Sequence, residues 1–330
     1  SLVGSEMCIR DRTKITNEDL AERIDTSDEW IQSRTGIQER RITHNRTTSG
    51  LAAEAAKKAL SDADMDAEDV ELILTATSSP ENFFPSAACE VQEQIGNKIA
   101  AAYDLSAACS GFLFALNTGY AFLKSGSYKN ALIIGADVMS KLVDWQDRST
   151  CVLFGDGAGA VVIRAEEQET EEGGIQRFLM KSDGSKGMVL TCKARTNGNF
   201  LTKTKPDMGY LSMNGQEVFK FAVKKVPESI EQLLEEAGEE KETIKYFILH
   251  QANYRIIEAA AKRLKLPLER FPMNICRYGN TSGASVPILL DELNREGRLK
   301  SGDKLVLSGF GAGLTWGSTL ITLSLIHISE

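Results

Sequence analysis

The sequence predicts an α/β chain built from two related halves. Three observations carry this reading: short apolar, β-branched runs bounded by turn residues, helical patterns between them, and a weak internal repeat. Residues 70–77, 131–138, 161–164, 246–250, 304–308 and 318–322 read as strands. Residues 51–60 carry apolar side chains at helical spacing, 112–123 are nearly all apolar, and 217–237 and 254–264 are amphipathic, so each reads as a helix. Such alternation predicts buried, largely parallel sheets. The acidic, glycine-ended stretch 166–174 is the most linker-like.

The repeat straddles that stretch. In the first half, strand 70–77 precedes a segment centred on Cys109 and then Phe154-Gly-Asp-Gly-Ala-Gly159 before a strand. In the second, strand 246–250 precedes a segment centred on Asn280 and then Phe310-Gly-Ala-Gly313 before a strand. Duplicated halves would bring Cys109 and Asn280 to related places on a shared floor.

Bulk properties narrow the function. The 330 residues suffice for one large core or two domains, and 42% hydrophobic with 25% charged residues is an ordinary globular balance. No apolar stretch reaches the roughly 18 residues that suggest a membrane span, and no signal peptide is visible at the start. A net charge of −8 argues against general nucleic-acid binding, so a negatively charged partner needs a local basic patch. The six cysteines, at 8, 89, 109, 151, 192 and 276, show no short paired spacing. Metal and thioredoxin chemistry are therefore not indicated, and reduced thiols in the cytoplasm are expected.

Cys109 stands apart from the other cysteines. Asp104-Leu-Ser-Ala-Ala-Cys-Ser-Gly-Phe112 sets its thiol among small residues just ahead of the apolar helix. Unpaired backbone N–H groups and the positive end of the helix dipole at that position predict a lowered thiol pKa and an accessible thiolate. By itself a free cysteine is more often a small buried hydrophobe, which is the reading for Cys89 in its helix-like run; Cys151, Cys192 and Cys276 lack the helix-start context. His250 ends a strand-like run at the carboxyl edge where α/β sites gather, and Asn280 lies in a Gly/Asn/Thr/Ser turn. Each has a purely structural reading, but together Cys109, His250 and Asn280 make an acyl-transfer site. Gly155-Asp-Gly-Ala-Gly159 lacks G-x-G-x-x-G spacing and leads into a strand, so the glycines are read as permitting close backbone approach and not as a nucleotide fingerprint. A backbone N–H from the second glycine-rich turn, beside the thiol, would supply part of an oxyanion hole.

The two ends read differently. Met7-Cys-Ile-Arg-Asp-Arg12 can be encoded by ATG TGT ATA AGA GAC AGN, whose complementary strand encodes Leu-Ser-Leu-Ile-His-Ile, the sequence of residues 323–328. This inverted repeat looks like a translated sequencing adapter, so residues 1–12 and 323–330 are set aside from the fold. Cys8 and His327 leave the functional inventory with them, and His44 and His250 remain.

At this point the residues match a family. DLSAACSGF at 104–112, HQANYRI at 250–256, GNTSGASVP at 279–287 and GFGAGLTWGS at 309–318 resemble 3-oxoacyl-acyl-carrier-protein synthase III. DTSDEWIQSRTGI at 25–37 and FPSAAC at 84–89 extend the resemblance, which runs in order from about Thr13 to Thr322. It implies the thiolase fold, a duplicated five-layered α/β/α/β/α arrangement with two mixed, mostly parallel sheets. Residues 13–168 would form the half carrying the nucleophile and 169–322 the half carrying histidine and asparagine. It also implies a cytoplasmic homodimer in the acyltransferase class EC 2.3.1 that starts type II fatty-acid synthesis, with no metal or cofactor beyond the CoA thioester substrate.

The resemblance assigns roles. Cys109 would attack an acyl-CoA thioester, and His250 and Asn280 would stabilise the enolate formed as malonyl-acyl carrier protein loses carbon dioxide. The N–H groups of Cys109 and Ala312 match the oxyanion hole, where the second position is often glycine. Trp30 and Arg148, with Arg34 nearby, match the residues that sandwich the CoA adenine, and Phe219 and Asn253 match the pantetheine tunnel. Phe84 matches a residue that closes the partner's acyl pocket across the dimer. Arg255, Lys262, Arg263 and Lys220 are the candidate docking cations for acyl carrier protein, with solvated helix charges the competing reading for Lys262 and Arg263. Elongating ketosynthases and thiolases use a second histidine or cysteine where Asn280 stands; a cysteine hydrolase lacks the peptide-groove motifs here; a non-catalytic scaffold would not need all three residues. The nearest alternative is an acyl-CoA-dependent condensing enzyme of secondary metabolism with the same triad. Family members begin with a strand that the adapter-like residues 1–12 replace. A missing strand in the sheet interior predicts unpaired backbone groups and an unstable chain.

Overall fold

The computed structural model describes residues 2–7, 13–166, 173–198, 201–205 and 207–323. The first half opens with β1 (Leu2–Met7) and a hairpin of β2 (Thr13–Thr16) and β3 (Glu39–Ile42) that encloses α1 (Asn17–Ala21) and α2 (Asp28–Thr35). It continues through α3 (Thr48–Asp62), β4 (Leu72–Ala76), α4 (Ala87–Ile95), β5 (Ala101–Leu105), α5 (Gly111–Lys124), β6 (Asn130–Val138) and β7 (Asp156–Arg164). The second half runs through β8 (Gly174–Ser182), a small ladder of β9 (Leu190–Cys192) and β10 (Leu211–Met213), and α6 (Gly215–Ala237). It ends with β11 (Tyr246–Leu249), α7 (Tyr254–Leu264), α8 (Ile275–Tyr278), α9 (Ser285–Arg295), β12 (Lys304–Gly311) and β13 (Thr315–Thr322).

Sheet order makes the duplication explicit. The first sheet runs β1-β7-β6-β4-β5, and the second β8-β13-β12-β11. Each position of the second sheet has its counterpart in the first, and among the described residues β5 alone lacks one. Helices α3 and α4 cover the outer face of the first sheet, where the alanine-rich inner side of α3 packs against alternate residues of β4, β6 and β7. Helices α6 and α7 cover the outer face of the second sheet. Between the sheets lie α5 and α9, packed through Phe112, Leu113 and Leu116 on one and Val286, Leu289 and Leu293 on the other. Five layers result, as the thiolase fold requires. Helix α5 is largely apolar because it is sandwiched between the two sheets, whereas α6 and α7 are amphipathic because water bathes one face.

Several expectations need correction. Sheet direction is not among them: both sheets are mixed and mostly parallel, since β1, β4, β5 and β6 share one direction with β7 against them, and β8, β11 and β12 share one direction with β13 against them. A short reversal at residues 312–314 joins β12 to β13 directly, which permits only an antiparallel pair. A strand does occupy the start of the chain, within the adapter-like residues, and its place is not interior. Leu2–Met7 pairs with β7 from Leu2↔Ile163 to Met7↔Gly159 at the sheet edge, the position β8 holds beside β13. Residues 1 and 8–12, including Cys8, lie outside the described residues, as do 324–330 with His327. Leu323, the first residue of the other adapter-like stretch, is buried in the middle-layer core and exchanges backbone hydrogen bonds with Gly302 and Asp303. Cys89 is exposed and not core, because its position on α4 lies over the edge strand β5, where its thiol donates to Ala102 O at 3.4 Å.

Two glycines let the halves interlock. A Cβ on Gly135 of β6 would stand 2.4 Å from the carbonyl oxygen of Gly283, in the turn that follows Asn280. A Cβ on Gly311 of β12 would stand 2.7 Å from the backbone nitrogen of Cys109. Gly135→Ala and Gly311→Ala should therefore each cost about 1–3 kcal/mol through overpacking, read as a lower urea midpoint. Unchanged midpoints in both would show that these turns yield freely.

Candidate active site

Cys109 sits in a single 3₁₀ turn (Ala108–Ser110) that runs directly into α5, so its backbone is at the helix entrance. The residue before it, Ala108, has φ +47°, a left-handed conformation that an alanine adopts only under constraint from its surroundings. The second half repeats this turn: Ser282, at φ +52°, opens a 3₁₀ turn (Ser282–Ala284) that runs into α9. Asn280 stands two residues before it. The related placement expected from the repeat is present, with the two turns facing one another across the central layer.

Hydrogen bonds set the orientation of Asn280. Its backbone N–H donates to Leu153 O at 2.8 Å, and its carbonyl accepts from Gly155 N–H at 3.0 Å. Its side-chain Oδ1 accepts the N–H of Ser282 at 2.8 Å, which leaves the Nδ2 donors for the cavity it lines. His250 follows β11 and bonds through its N–H to Ser308 O at 2.8 Å. Its ring stands edge-on to Phe310, with centroids 5.4 Å apart, and its Nδ1 lies 2.6 Å from Ser285 Oγ. His250 is 2% exposed, and burial pushes its pKa down to about 3, so the imidazole is neutral at any working pH.

The thiol behaves differently from the sequence expectation. Cys109 is half-buried as a residue, but the crowding around its sulfur is that of the interior, and this desolvation pushes the thiol up to about 12. The Ser282 hydroxyl pulls the other way, the nearby Asp137 carboxylate adds to the rise, and the residue's own N–H opposes it. A lowered pKa from the helix entrance is thus overturned: loss of water costs the anion more than the first turn of α5 returns. Asp137 is itself fully buried at the end of β6, and burial raises its pKa. Its Oδ1 accepts from Thr77 Oγ1, Ser78 N–H and Ser79 Oγ, and its Oδ2 from Gly283 N–H at 3.2 Å.

Cys109, His250 and Asn280 line one cavity of about 380 Å³. Trp30, Arg34, Phe219, Asn253 and Arg255 line it as well. Asn253 caps α7 and donates its Nδ2 to Arg34 O at 2.9 Å, tying that helix to α2. The guanidinium carbons of Arg34 and Arg148 lie 4.6 Å and 5.1 Å from the Trp30 ring centroid, and that of Arg255 lies 5.7 Å from the Phe219 ring. Gly311 belongs to the lining, and Ala312 stands one residue beyond it. Lys220, Lys262 and Arg263 are exposed on α6 and α7 away from the lining; Lys220 pairs with Glu217 and Arg263 with Glu228. Phe84 is 86% exposed and lies outside this cavity. His44 lies outside it too, bonding Thr13 next to the β2–β3 hairpin.

Sequence reasoning missed the apolar walls: Val152, Leu153, Phe154, Leu190, Met213, Val218 and Ile256. No local signal marks them, since an apolar residue facing a cavity reads like one facing core. It also missed Arg40, fully buried, which donates to Val152 O at 2.8 Å and Ile15 O at 3.3 Å and so pins the wall to the N-terminal hairpin. Among the described residues no three histidine, cysteine or acidic side chains converge as metal ligands, and no helix is long and apolar enough to cross a membrane.

Known proteins are similar to this chain in sequence and fold. The family model for 3-oxoacyl-[acyl-carrier-protein] synthase III matches residues 103–184, and that for its C-terminal part matches residues 234–323. The beta-ketoacyl-[acyl-carrier-protein] synthase III of Clostridium acetobutylicum is 51% identical over 311 residues, which covers 93% of this chain and 94% of that protein. The crystal structure of the Aquifex aeolicus 3-oxoacyl-[acyl-carrier-protein] synthase III superimposes with a TM-score of 0.90 at 44% identity, covering 97% of this chain and 99% of that one. The priming beta-ketosynthase of the R1128 polyketide biosynthetic pathway superimposes with a TM-score of 0.89 at 32% identity, covering 97% and 95%. With half its length matched by the family models and near-complete coverage of these relatives, the chain belongs to the 3-oxoacyl-[acyl-carrier-protein] synthase III family.

Proposed function

We infer that this chain is an acyltransferase that condenses an acyl-CoA primer with malonyl-acyl carrier protein, releasing 3-oxoacyl-acyl carrier protein, CoA and carbon dioxide. One observation carries the reading: a thiol at a helix entrance, a neutral imidazole and an oriented amide donor share the floor of one cavity. The Cys109 sulfur bonds to the primer's carbonyl carbon, the C–S bond to CoA breaks, and the thiol proton leaves with CoA. Malonyl thioester then enters. As its carboxylate departs as carbon dioxide, the electron pair passes onto the thioester oxygen, where His250 Nε2–H and Asn280 Nδ2–H hold the enolate. The enolate carbon bonds to the acyl carbonyl carbon, the C–S bond to Cys109 breaks, and the departing thiolate takes up a proton from solvent to restore the thiol. The N–H groups of Cys109 and Ala312 are assigned to the oxyanion of each tetrahedral intermediate.

The mouth suits a CoA or phosphopantetheine arm. Trp30, Arg34 and Arg148 bring an aromatic face and cations for an adenine and its phosphates, and Phe219 and Asn253 flank the way in. Arg255, Lys262, Arg263 and Lys220 give this acidic chain local positive charge for an acidic carrier protein. Greater likeness to the fatty-acid enzyme than to the polyketide priming enzyme supports a role in starting fatty-acid synthesis.

A homodimer is part of the proposal. Strand β5 is a sheet edge, and Phe83, Phe84, Ile99 and Tyr103 are exposed around it. An uncovered edge with large apolar neighbours is a pairing surface, and a second copy there brings Phe84 toward the partner's acyl pocket. Tyr103→Asp should yield monomers by light scattering, and an unchanged dimer would move the interface elsewhere.

Division of labour within the triad is testable with radiolabelled acetyl-CoA and malonyl carrier protein. Cys109→Ser should lose condensation yet still decarboxylate malonyl carrier protein. His250→Ala and Asn280→Ala should accept the acetyl group yet lose decarboxylation by roughly a hundredfold or more. Full condensation by the serine variant would end this reading. Thiol activation is tested by iodoacetamide: with the thiol raised, the thiolate is the minority form throughout the neutral range, so Cys109 alkylation should climb about tenfold per pH unit from pH 7 to 10. A plateau below pH 9 would instead reveal a low-pKa thiol.

A further inference from the structure

His250 is held from behind by a group that touches no substrate. Its Nδ1 lies 2.6 Å from Ser285 Oγ, and the same oxygen accepts the backbone N–H of Gln251 at 3.4 Å. Ser285 is the first residue of α9 and is 2% exposed. The ring is edge-on to Phe310, and its neutrality follows from burial. It therefore carries one proton, which resides on either Nδ1 or Nε2.

Hydrogen-bond accounting separates the two cases. If Nδ1 carried the proton, Ser285 Oγ would receive two N–H donors and its own hydrogen would need another acceptor. Among the described residues that hydroxyl has no other partner, and a buried unpaired donor is costly. If Nδ1 is bare, Gln251 N–H donates to Oγ, Oγ–H donates to Nδ1, and every group is satisfied. The ring proton then sits on Nε2, across the ring from Ser285 and on the side left for the cavity that His250 lines.

We propose that Ser285 is a positioning residue that locks His250 in its Nε2–H tautomer, so the imidazole meets the malonyl thioester oxygen as a hydrogen-bond donor and not as a base. The same turn orients both donors of the site. Ser282 N–H occupies Asn280 Oδ1 and so turns Nδ2 outward, while Ser285 occupies His250 Nδ1 and so turns the ring proton outward. The consequence for catalysis rests on the condensing function above, but the tautomer itself is a property of the free protein.

The experiment uses the full chain with ¹⁵N-labelled histidine, the His250 signals being assigned by comparison with His250→Gln. Two-bond ¹H–¹⁵N correlations should show His250 as the Nε2–H tautomer in the wild type and as a mixture in Ser285→Ala. Malonyl decarboxylation should fall about tenfold in Ser285→Ala, the scale of one lost hydrogen bond, while acetylation of Cys109 stays at the wild-type rate. Ser285→Thr, which keeps the hydroxyl, should restore both the tautomer and the rate. An Nδ1–H tautomer in the wild type, or an undisturbed Nε2–H signal in Ser285→Ala, would overturn the proposal. Absence of malonyl decarboxylation in a wild-type protein with the Nε2–H signal would instead overturn the condensing function and leave the tautomer assignment standing.

Discussion

Everything at the floor of the cavity depends on the reciprocal approach of the two halves at Gly135 and Gly311. Each glycine belongs to an inner strand of one half and touches the turn that carries or follows the site residue of the other. No side chain fits in either gap, so the entrances to α5 and α9 are brought backbone to backbone. That contact puts a thiol from one half beside an imidazole and an amide from the other. Asp137 reinforces it, since its two oxygens collect donors from the loop after β4 and from Gly283 in the opposite half. A buried carboxylate with this many donors is tolerable as a joint where an unpaired one would not be.

The same closeness decides the electrostatics. Packing that excludes water from the floor makes both titratable partners neutral at rest: the thiol is pushed up, and the imidazole is pushed down. A site of neutral donors suits a reaction whose charge appears only in passing, first on a tetrahedral oxyanion and then on an enolate. Fixed N–H groups stabilise such transient charge without reorganising. A standing thiolate–imidazolium pair would suit a hydrolase better, because a permanent charge would attract the water that must be kept from the acyl-cysteine.

Much of this was legible in the chain. The strand and helix periodicities, the repeat across residue 166–174, and the Cys109, His250 and Asn280 segments all depend on local patterning, and each lands on the expected kind of element. Legibility failed where an element has no pattern of its own. Strand β5 is half-exposed and short, and β8 has a mixed face toward solvent, so neither shows the apolar run that betrays β4 or β6. The cavity walls were invisible for a similar reason, since apolar residues of α6, α7 and the 152–154 segment look alike whether they face core or cavity.

The amino-acid sequence by itself determined the architecture, the duplication and the identity of the three reactive groups, because these follow from hydrophobic period, turn chemistry and the residues themselves. Only the tertiary structure decided the state of those groups. The sign of the Cys109 shift depends on how much water the opposite half removes, and no reading of one helix entrance includes that half. The proton position on His250 depends on Ser285, thirty-five residues away in sequence and 2.6 Å away in space. The place of β1 depends on the free edge of β7, a sheet position that exists only once the sheet has formed. Desolvation, hydrogen-bond partnership and strand pairing are all properties of neighbours in space, which a linear chain does not list.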